Sequence, residues 1–548
     1  MTTLPDGHDS RAMSASHGSV EAMSRRLSRL SGAFRTNITA PDDKVRATEL
    51  FSDRIPHRRA AHCQVQRIVN RPVRVMKFGG TSVGDASCIA RVIDIVRAAS
   101  RESDLVVVVS AMSGVTNKLI EAALQAEAGS HAAAAAIMKE LRTQHEVAAG
   151  ALITSAAELD IVLQRIDSVL REGDDLCRGT SLTCELTLRA RDAISSLGER
   201  MSALLVAAAL AEHGVLNEAI EATELVVTNS CFGSAEPRMD LSREHCETRV
   251  RPLLRKGVIP VVTGFIGATM DGELTTLGRG GSDYSATILG AALHADEVII
   301  WTDVDGMHTS DPRLVPEACC IPEISYCEAA ELAHFGAKVL HPKTLRPLMQ
   351  TDTTLWIRNT FAPERLGTKI TPEGSSNNGG VKALAACSDA ALIKVGGPAM
   401  AGVPNVLART FTATAAARAE VLLILQSTSQ NEVRFVVPSA RAKDTVETLR
   451  REFAHNLADE TGDHITLDTT IGIVTVVGQN MRQPSSVIGR TFNALDRENV
   501  NIIAIAQGSS ECNVSFVVER KNLKTALIST HREFQLDAID KEELPTNL

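Results

Sequence analysis

The sequence predicts an α/β protein: a mainly parallel, helix-covered central sheet followed by two small ferredoxin-like βαββαβ modules. Three observations carry this. Of 548 residues, 44% are hydrophobic but only 3% aromatic, so a large core has to be filled by Ala, Val, Leu and Ile, the usual filling of helix-covered sheets. Short apolar strands recur with Gly-rich or small-residue loops at their carboxyl ends, where open α/β sheets bind ligands. Toward the C-terminus a βαββ pattern occurs twice, roughly eighty residues apart.

Composition excludes several classes. A formal net charge of -9 gives no electrostatic reason to expect nucleic acid or an anionic membrane as partner, so an anionic ligand has to be held by local positive charge. The 11 cysteines are scattered with no C-x-x-C pair, so neither a zinc site nor a disulfide framework is expected, and a reducing, cytoplasmic setting fits. No apolar run reaches the ~20 residues of a membrane span; the best, Leu204 to Ala211, is cut by Glu212.

Residues 1–72 lack sustained periodicity and read as a disordered extension, with a short basic helix possible over Val20 to Leu30. Its Arg and Ser content fits a plastid-type transit peptide, but Asp42, Asp43, Glu49 and Asp53 argue against one. Order begins with the strand Val73 to Phe78, the turn Gly79-Gly80-Thr81-Ser82 and a helix over Ile89 to Ala98. Lys77 precedes the glycines, whereas a Walker loop places its Lys after them. The alternatives are another kind of phosphate seat or an exposed strand-end lysine beside a structural turn. Asp104 to Ser110 is a second buried strand, ending in the small-residue loop Ala111 to Asn117.

From Lys118 to about Arg191 the pattern is helical and Ala-rich, a lid or packing layer. Glu199 starts an apolar stripe, where a carboxylate is more often a helix N-terminal partner than a ligand. Strands follow at Glu224 to Thr228 and Val258 to Thr263.

Thr275 to Arg313 is the densest stretch. Leu277-Gly278-Arg279-Gly280-Gly281 lets backbone amides approach a ligand closely, and Ser282-Asp283 opens a helix whose unpaired N–H groups attract an anion. After that helix, Val298 to Trp301 is a buried strand whose carboxyl-end loop carries Asp303, Asp305 and Asp311. Ile324 to Leu340 reads as an amphipathic helix with Lys338 near its end.

A turn-rich linker over 371–382 then leads to the repeat, residues 383–460 and 461–548. Both modules end their second strand in Gln followed by small residues, Gln426-Ser427-Thr428-Ser429 and Gln507-Gly508-Ser509-Ser510. A side-chain amide both donates and accepts, and suits a ligand hydroxyl; the plain alternative is a pair of exposed strand ends on modules that merely dimerise.

Read together, KFGGTSV from Lys77, SAMSGVTN from Ser110, LGER from Leu197, VTGFIG from Val262, TLGRGGSDYSA from Thr276, WTDVDG from Trp301, TSDPR from Thr309 and FGAKVLHP from Phe335 resemble the aspartokinases. That family has a three-layer αβα amino-acid kinase fold, placed here on 73–370, with two C-terminal ACT domains. Several motifs resemble the kinase half of aspartokinase fused to homoserine dehydrogenase; the chain stops at Leu548, so no dehydrogenase is expected in it.

The resemblance implies transfer of the ATP γ-phosphoryl group, with Mg²⁺, to the β-carboxylate of L-aspartate. It makes Lys77 and Asp283 catalytic, and places Thr116, Glu199, Phe265, Arg279 and Ser282 on the substrate side. Lys77, Gly79, Gly80, Thr302, Asp303, His308, Asp311, Arg313 and Lys338 fall on the nucleotide side. His308 departs from the family, which has Tyr there. No protein-built metal site is expected. The ACT pair implies an effector amino acid at Gln426 and Gln507, threonine ahead of lysine, and a homodimer or higher oligomer. Two alternatives remain open: another amino-acid kinase such as one acting on glutamate, or a non-catalytic ACT sensor.

Overall fold

A computed structural model describes residues 71–336, 339–375, 380–396, 405–426, 432–454, 464–479, 481, 486–508 and 512–541. Residues 1–70 of the extension, with its expected short helix, lie outside the described residues, as does Lys338.

Eight strands form the central sheet in the order Asn217–Ile220, Ile259–Thr263, Asp104–Val109, Val73–Phe78, Glu297–Thr302, Thr354–Asn359, Thr368–Thr371, Glu323–Ser325. Neighbours are parallel except Thr354–Asn359 against Thr368–Thr371. Val75, Val106, Val108, Val298 and Ile300 join one apolar cluster with Ala286, Leu289 and Ala292 of the helix Gly281–Ala292. The alternating Leu105, Val107 and Val109 are equally buried, so both faces are covered. The chain runs from Val73–Phe78 to one neighbour and returns from Glu297–Thr302 on the other side, which puts a topological switch point at the carboxyl ends of these two strands.

The Ala-rich segment folds into the helices Val115–Glu127, His131–Leu152 and Ala156–Thr183, packed against one another and against Leu188–Glu212. This last helix is long and apolar enough to cross a membrane, yet 83% of its apolar window is buried inside the protein. Its burial corrects the reading of Glu199. That residue sits mid-helix and only 4% exposed, not at a helix start.

Other local expectations shift. Glu224 to Thr228 is not one strand: Leu225 N donates to Ala222 O, closing a 3-10 turn over Ala222–Glu224, and only Val227–Thr228 pairs. The Ile324 to Leu340 helix shortens to Tyr326–Phe335. Ser325 and Glu328 form a capping box that starts it, and Gly336, at φ 140, ends it.

The module boundaries also move. Ala390–Gly396, Leu423–Gln426, Glu432–Pro438 and Ile465–Asp468 form one four-stranded sheet, so residues inside the 461–548 range read as the second module supply a strand that closes the first. Val381–Cys387 instead pairs with Ile471–Gly478 in the second module's sheet, beside Asn513–Glu519 and Ile502–Gln507. The linker therefore begins after the Thr368–Thr371 strand and ends before Val381. Such pairing is set by long-range apolar packing and carries no local sequence signal.

The cysteines bring one more correction. Cys327, on the Tyr326–Phe335 helix, is disulfide-bonded to Cys512 of the second module across 185 residues of sequence. A single bridge between distant positions leaves no spacing pattern to read.

Candidate active site

Lys77 occupies the central strand in register with Val108 on one side and Ile300 on the other. Side chains alternate along a strand, so Lys77 shares the face of Val75, which the helix Gly281–Ala292 covers. Its Nζ lies 2.5 Å from Asp283 Oδ1 in the first turn of that helix, with Lys77 7% exposed. The ion pair fixes where the ammonium points. Gly79 N donates to Trp301 O (3.1 Å), and a Cβ on Gly79 would stand 3.3 Å from Lys77 Nζ. A Cβ on Gly80 would stand 3.0 Å from Ala111 O, so neither position has room for a side chain without a shift. The turn is also held by Ser82, whose Oγ shares a 2.7 Å hydrogen bond with Thr360 Oγ1.

Across from Lys77, the loop after Ile259–Thr263 locks onto the start of Gly281–Ala292. Phe265 adopts φ 71, its N donates to Ser285 Oγ (2.9 Å), and its O accepts from Leu277 N (2.9 Å). A Cβ on Gly264 would meet Ser282 Cβ at 2.7 Å, and one on Gly281 would meet Phe265 Cδ2 at 2.6 Å. Gly280 caps the helix at φ 69 with no side-chain hydrogen bond to the first turn; Gly281 N donates to Gly278 O (3.0 Å), which leaves the Ser282 and Asp283 N–H groups to face an anion. Arg279 beside it is exposed and makes no ion pair among the described residues. Thr116 is half-buried in the first turn of Val115–Glu127.

Glu199 completes this group. Burial pushes its carboxyl up to about 8, against the opposing pull of the Ala111 backbone and the Lys77 charge. Among the described residues its Oε2, fully buried, has no hydrogen-bond partner. Gly198 brings it here: a Cβ there would lie 2.7 Å from Ala111 Cβ. An orphaned buried carboxylate oxygen fits a cationic ligand group.

The loop after Glu297–Thr302 is arranged differently. Thr302 Oγ1 donates to the exposed Asp303 (3.2 Å), and Arg313 is occupied by its neighbour Asp311 at 2.7 Å. His308, half-buried, lies 3.3 Å from Gly306 O through Nδ1. Among the described residues no hydrogen bond or ion pair joins Asp303, His308 or Arg313 to the Lys77 group. Thr309 is buried and docks on the second module: Leu384 N donates to its O (2.7 Å), and its Oγ1 lies 2.9 Å from His531 Nε2. Gln507 is exposed at the end of an edge strand; Gln426 ends the edge strand Leu423–Gln426 of the other sheet, and its side chain lies outside the description.

The structure thus gathers Lys77, Gly79, Gly80, Asp283 and Glu199, and packs Phe265, Arg279 and Ser282 around one helix start. Sequence reasoning missed Ser82, Thr360 and Ser285, which hold backbone in place, and Asp192. The last had a signal, since it lies seven residues, two helical turns, before Glu199.

Comparison with known proteins adds the following. Residues 72–359 match the amino acid kinase family, and residues 393–453 and 474–534 match the ACT domain. The chain is 35% identical over 468 residues to the bifunctional aspartokinase/homoserine dehydrogenase 1, chloroplastic, of Arabidopsis thaliana, covering 84% of this chain and 51% of that protein. Escherichia coli aspartokinase III in complex with aspartate and ADP superposes with a TM-score of 0.72 at 31% identity, covering 84% of this chain and 100% of that one. The same enzyme in complex with lysine and aspartate gives 0.70 at 31% identity, with 84% and 99% covered. The chain spans about half the length of the bifunctional relatives it matches.

Proposed function

We propose, since the chain belongs to the amino acid kinase family and within it to the aspartokinases, that it transfers the γ-phosphoryl group of ATP to the β-carboxylate of L-aspartate, giving 4-phospho-L-aspartate and ADP. The observation that carries this reading is the pairing of a pinned cation with an orphaned buried anion: Lys77 held by Asp283 at 2.5 Å, and Glu199 with an unpartnered Oε2.

A carboxylate is already anionic near neutral pH, so the transfer needs no general base; the obstacle is repulsion between two anions. Lys77 and the N–H groups at Gly80, Ser282 and Asp283 offset the charge of the phosphoryl group in transfer, while Gly79 N and Gly281 N, bonded to Trp301 O and Gly278 O, hold the two turns in shape. Asp283 acts by aiming Lys77. Glu199 accepts from the substrate ammonium, Arg279 offers a planar fork to its α-carboxylate, and Thr116, Phe265 and Ser282 line the pocket. Thr302, Asp303, His308, Asp311 and Arg313 form the nucleotide side, with Lys338 beyond the described residues. Among the described residues no group of three or more carboxylate, imidazole or thiol ligands could itself hold a metal. Mg²⁺ is read here as arriving with ATP, as part of the MgATP substrate.

The test is to incubate the protein with MgATP, hydroxylamine and single amino acids. Aspartate alone should give the coloured hydroxamate of an acyl phosphate; equal yield with glutamate, or none with either, defeats the reading. Lys77→Ala should lower kcat by roughly 10²- to 10³-fold. The pH profile adds an independent check. Because Glu199 holds its proton up to about 8, KM for aspartate should fall as pH rises from about 6 to about 8, and Glu199→Gln should abolish that slope. In the ligand-free protein the same group makes stability fall with rising pH between 4.5 and about 8, since the native state keeps a proton the unfolded chain has released.

For regulation, the reading is an effector amino acid bound where the two ACT edge strands lie beside each other, with threonine ahead of lysine and association of copies through the same edges. The lysine complex of the Escherichia coli relative favours an amino-acid effector but not this choice of one. Support for association comes from Ile424 and Ile505, 54% and 44% exposed on unpaired edges. Titrating activity with threonine and lysine, in wild type, Gln426→Ala and Gln507→Ala, checks it. Inhibition by lysine alone, or threonine inhibition unchanged in both variants, overturns the effector assignment.

A further inference from the structure

Asp192 is 2% exposed, and both of its carboxylate oxygens are spent on groups beside the substrate-side loop. Its Oδ2 accepts from Gly233 N (2.8 Å) and Thr276 N (2.9 Å), while Oδ1 accepts from Thr276 Oγ1 (2.8 Å). Among the described residues no cation balances it at ion-pair distance; three donors hold it, and burial pushes its carboxyl up. What those donors belong to matters. Thr276 is the last residue of the strand that runs into Leu277-Gly278-Arg279, and Gly233 lies in the turn on which Gly278 rests. Gly278 has φ 79, and a Cβ there would stand 3.1 Å from Gly233 O. Ala235 N also donates to Thr276 O (2.9 Å), closing the turn and the strand into one unit.

Asp192 and Glu199 stand two turns apart on the helix Leu188–Glu212, hence on one face of a rigid rod. One carboxylate is fully engaged by the loop that carries Arg279, and the other is left open toward the site. We propose that Asp192 is a positioning residue: it fixes the Thr276–Gly278 backbone to the helix that carries Glu199, and so sets the distance between Arg279 and Glu199 to the span of an α-amino acid. This rests on the reading that Arg279 and Glu199 grip the two charged ends of aspartate. Misplacing one grip should weaken capture of the amino acid while leaving the Lys77 side of the site untouched.

The experiment compares Asp192→Ala, Asp192→Asn, Thr276→Val, Arg279→Lys and the double variant Asp192→Ala/Arg279→Lys by full kinetics in both substrates. Asp192→Ala should raise KM for aspartate roughly tenfold or more while KM for ATP and kcat stay within about threefold. Asp192→Asn should recover most of the loss, because the amide oxygen can accept both backbone N–H groups and its NH₂ can donate to Thr276 Oγ1. Thr276→Val removes only the hydroxyl and should show the same selectivity at smaller size, which keeps the proposal testable if the alanine variant does not fold. The double variant should be less impaired in aspartate KM than the two single effects combined predict, as residues acting through one contact are.

Equal changes in both KM values, or a loss confined to kcat, overturn the proposal, because a merely structural carboxylate would not select one substrate. If Arg279→Lys shifts aspartate KM and Asp192→Ala and Thr276→Val do not, the positioning role alone fails. If Arg279→Lys itself leaves aspartate KM unchanged, the substrate reading fails and this proposal falls with it.

Discussion

The two ACT modules are built alike inside and attached differently outside. In the first, Arg409 Nε donates to Glu452 Oε1 (2.7 Å), 43 residues on, and its guanidinium lies 4.4 Å over the Phe453 ring. In the second, Arg490 makes the same bond to Glu533 (3.0 Å), again 43 residues on, and lies 4.5 Å over Phe534. Phe411 meets Phe435, and Phe492 meets Phe516, with ring centroids 5.8 Å apart in both pairs. Only the second module, among the described residues, is bonded to the Tyr326–Phe335 helix. Cys512 is joined to Cys327, Lys382 pairs with Glu328, and Asn513 donates to Glu331. It also receives the Thr309 loop through Leu384 and His531. The repeat thus separates two tasks. What is common to the modules makes them fold, and what differs decides which of them is tied to the kinase domain.

The largest effect expected from breaking this asymmetry lies in the buried pair. Glu328 is fully buried, Lys382 is 9% exposed, and they meet at 3.3 Å. Lys382→Met would leave a buried carboxylate without its cation, costing about 3 kcal/mol in urea unfolding. The first module's surface pair, Lys394 with Glu432 at 2.6 Å, has side chains 35% and 20% exposed. Lys394→Met should cost less than about 1 kcal/mol. Similar costs for the two would show that the seam is not energetically special.

Much of the candidate site's local geometry was legible because its signals are local. Lys77 before Gly79-Gly80, and Gly280-Gly281 before Asp283, declare a strand end and a helix start through residue type alone. Glu199 was misplaced because its environment comes from the helices around it and from Gly198, none of which its neighbours in sequence specify. The exchange of Val381–Cys387 into the second sheet and the Cys327–Cys512 bridge are products of long-range packing, invisible to periodicity. The ACT repeat was seen as a strand pattern, but the shared Arg-Thr-Phe and Glu-Phe pairs acquire meaning only once Arg409 is found over Phe453 and Arg490 over Phe534.

A middle-sized effect tests the likeness itself. Arg409→Leu and Arg490→Leu each remove a charged hydrogen bond and a cation–π contact, worth about 1 to 2 kcal/mol together at partly exposed sites. The two costs should agree within about 0.5 kcal/mol if the interiors are equivalent. Thermal and urea unfolding of the two variants measures this directly. A cost for Arg490 well above that for Arg409 would mean that the kinase seam depends on the second module's internal packing as well as on its surface.

The smallest effect is the sharpest probe of the difference. Two residues before Glu452 the first module has Arg450, exposed to solvent; two residues before Glu533 the second has His531, 1% exposed and hydrogen-bonded to Thr309. The same helical position faces water in one copy and the kinase loop in the other. Burial holds His531 below its ordinary value of 6.5; Asp537 and Glu317 pull it up, and Arg532 pushes it further down. A histidine depressed in the native state binds fewer protons there than in the unfolded chain, so stability rises with pH through the window below 6.5 and is complete above it. His531→Gln keeps a hydrogen-bonding group for Thr309 but cannot titrate, so the wild type should gain on it by on the order of 1 °C in Tm as pH passes upward through that window. Arg450→Gln, its counterpart, should show no such pH-dependent difference. If both substitutions leave the pH dependence of Tm unchanged, proton binding at His531 is not coupled to the docking of the Thr309 loop, and the seam's distinctness would then rest on its other contacts, the Lys382–Glu328 pair, the Asn513–Glu331 and Leu384–Thr309 bonds and the bridge.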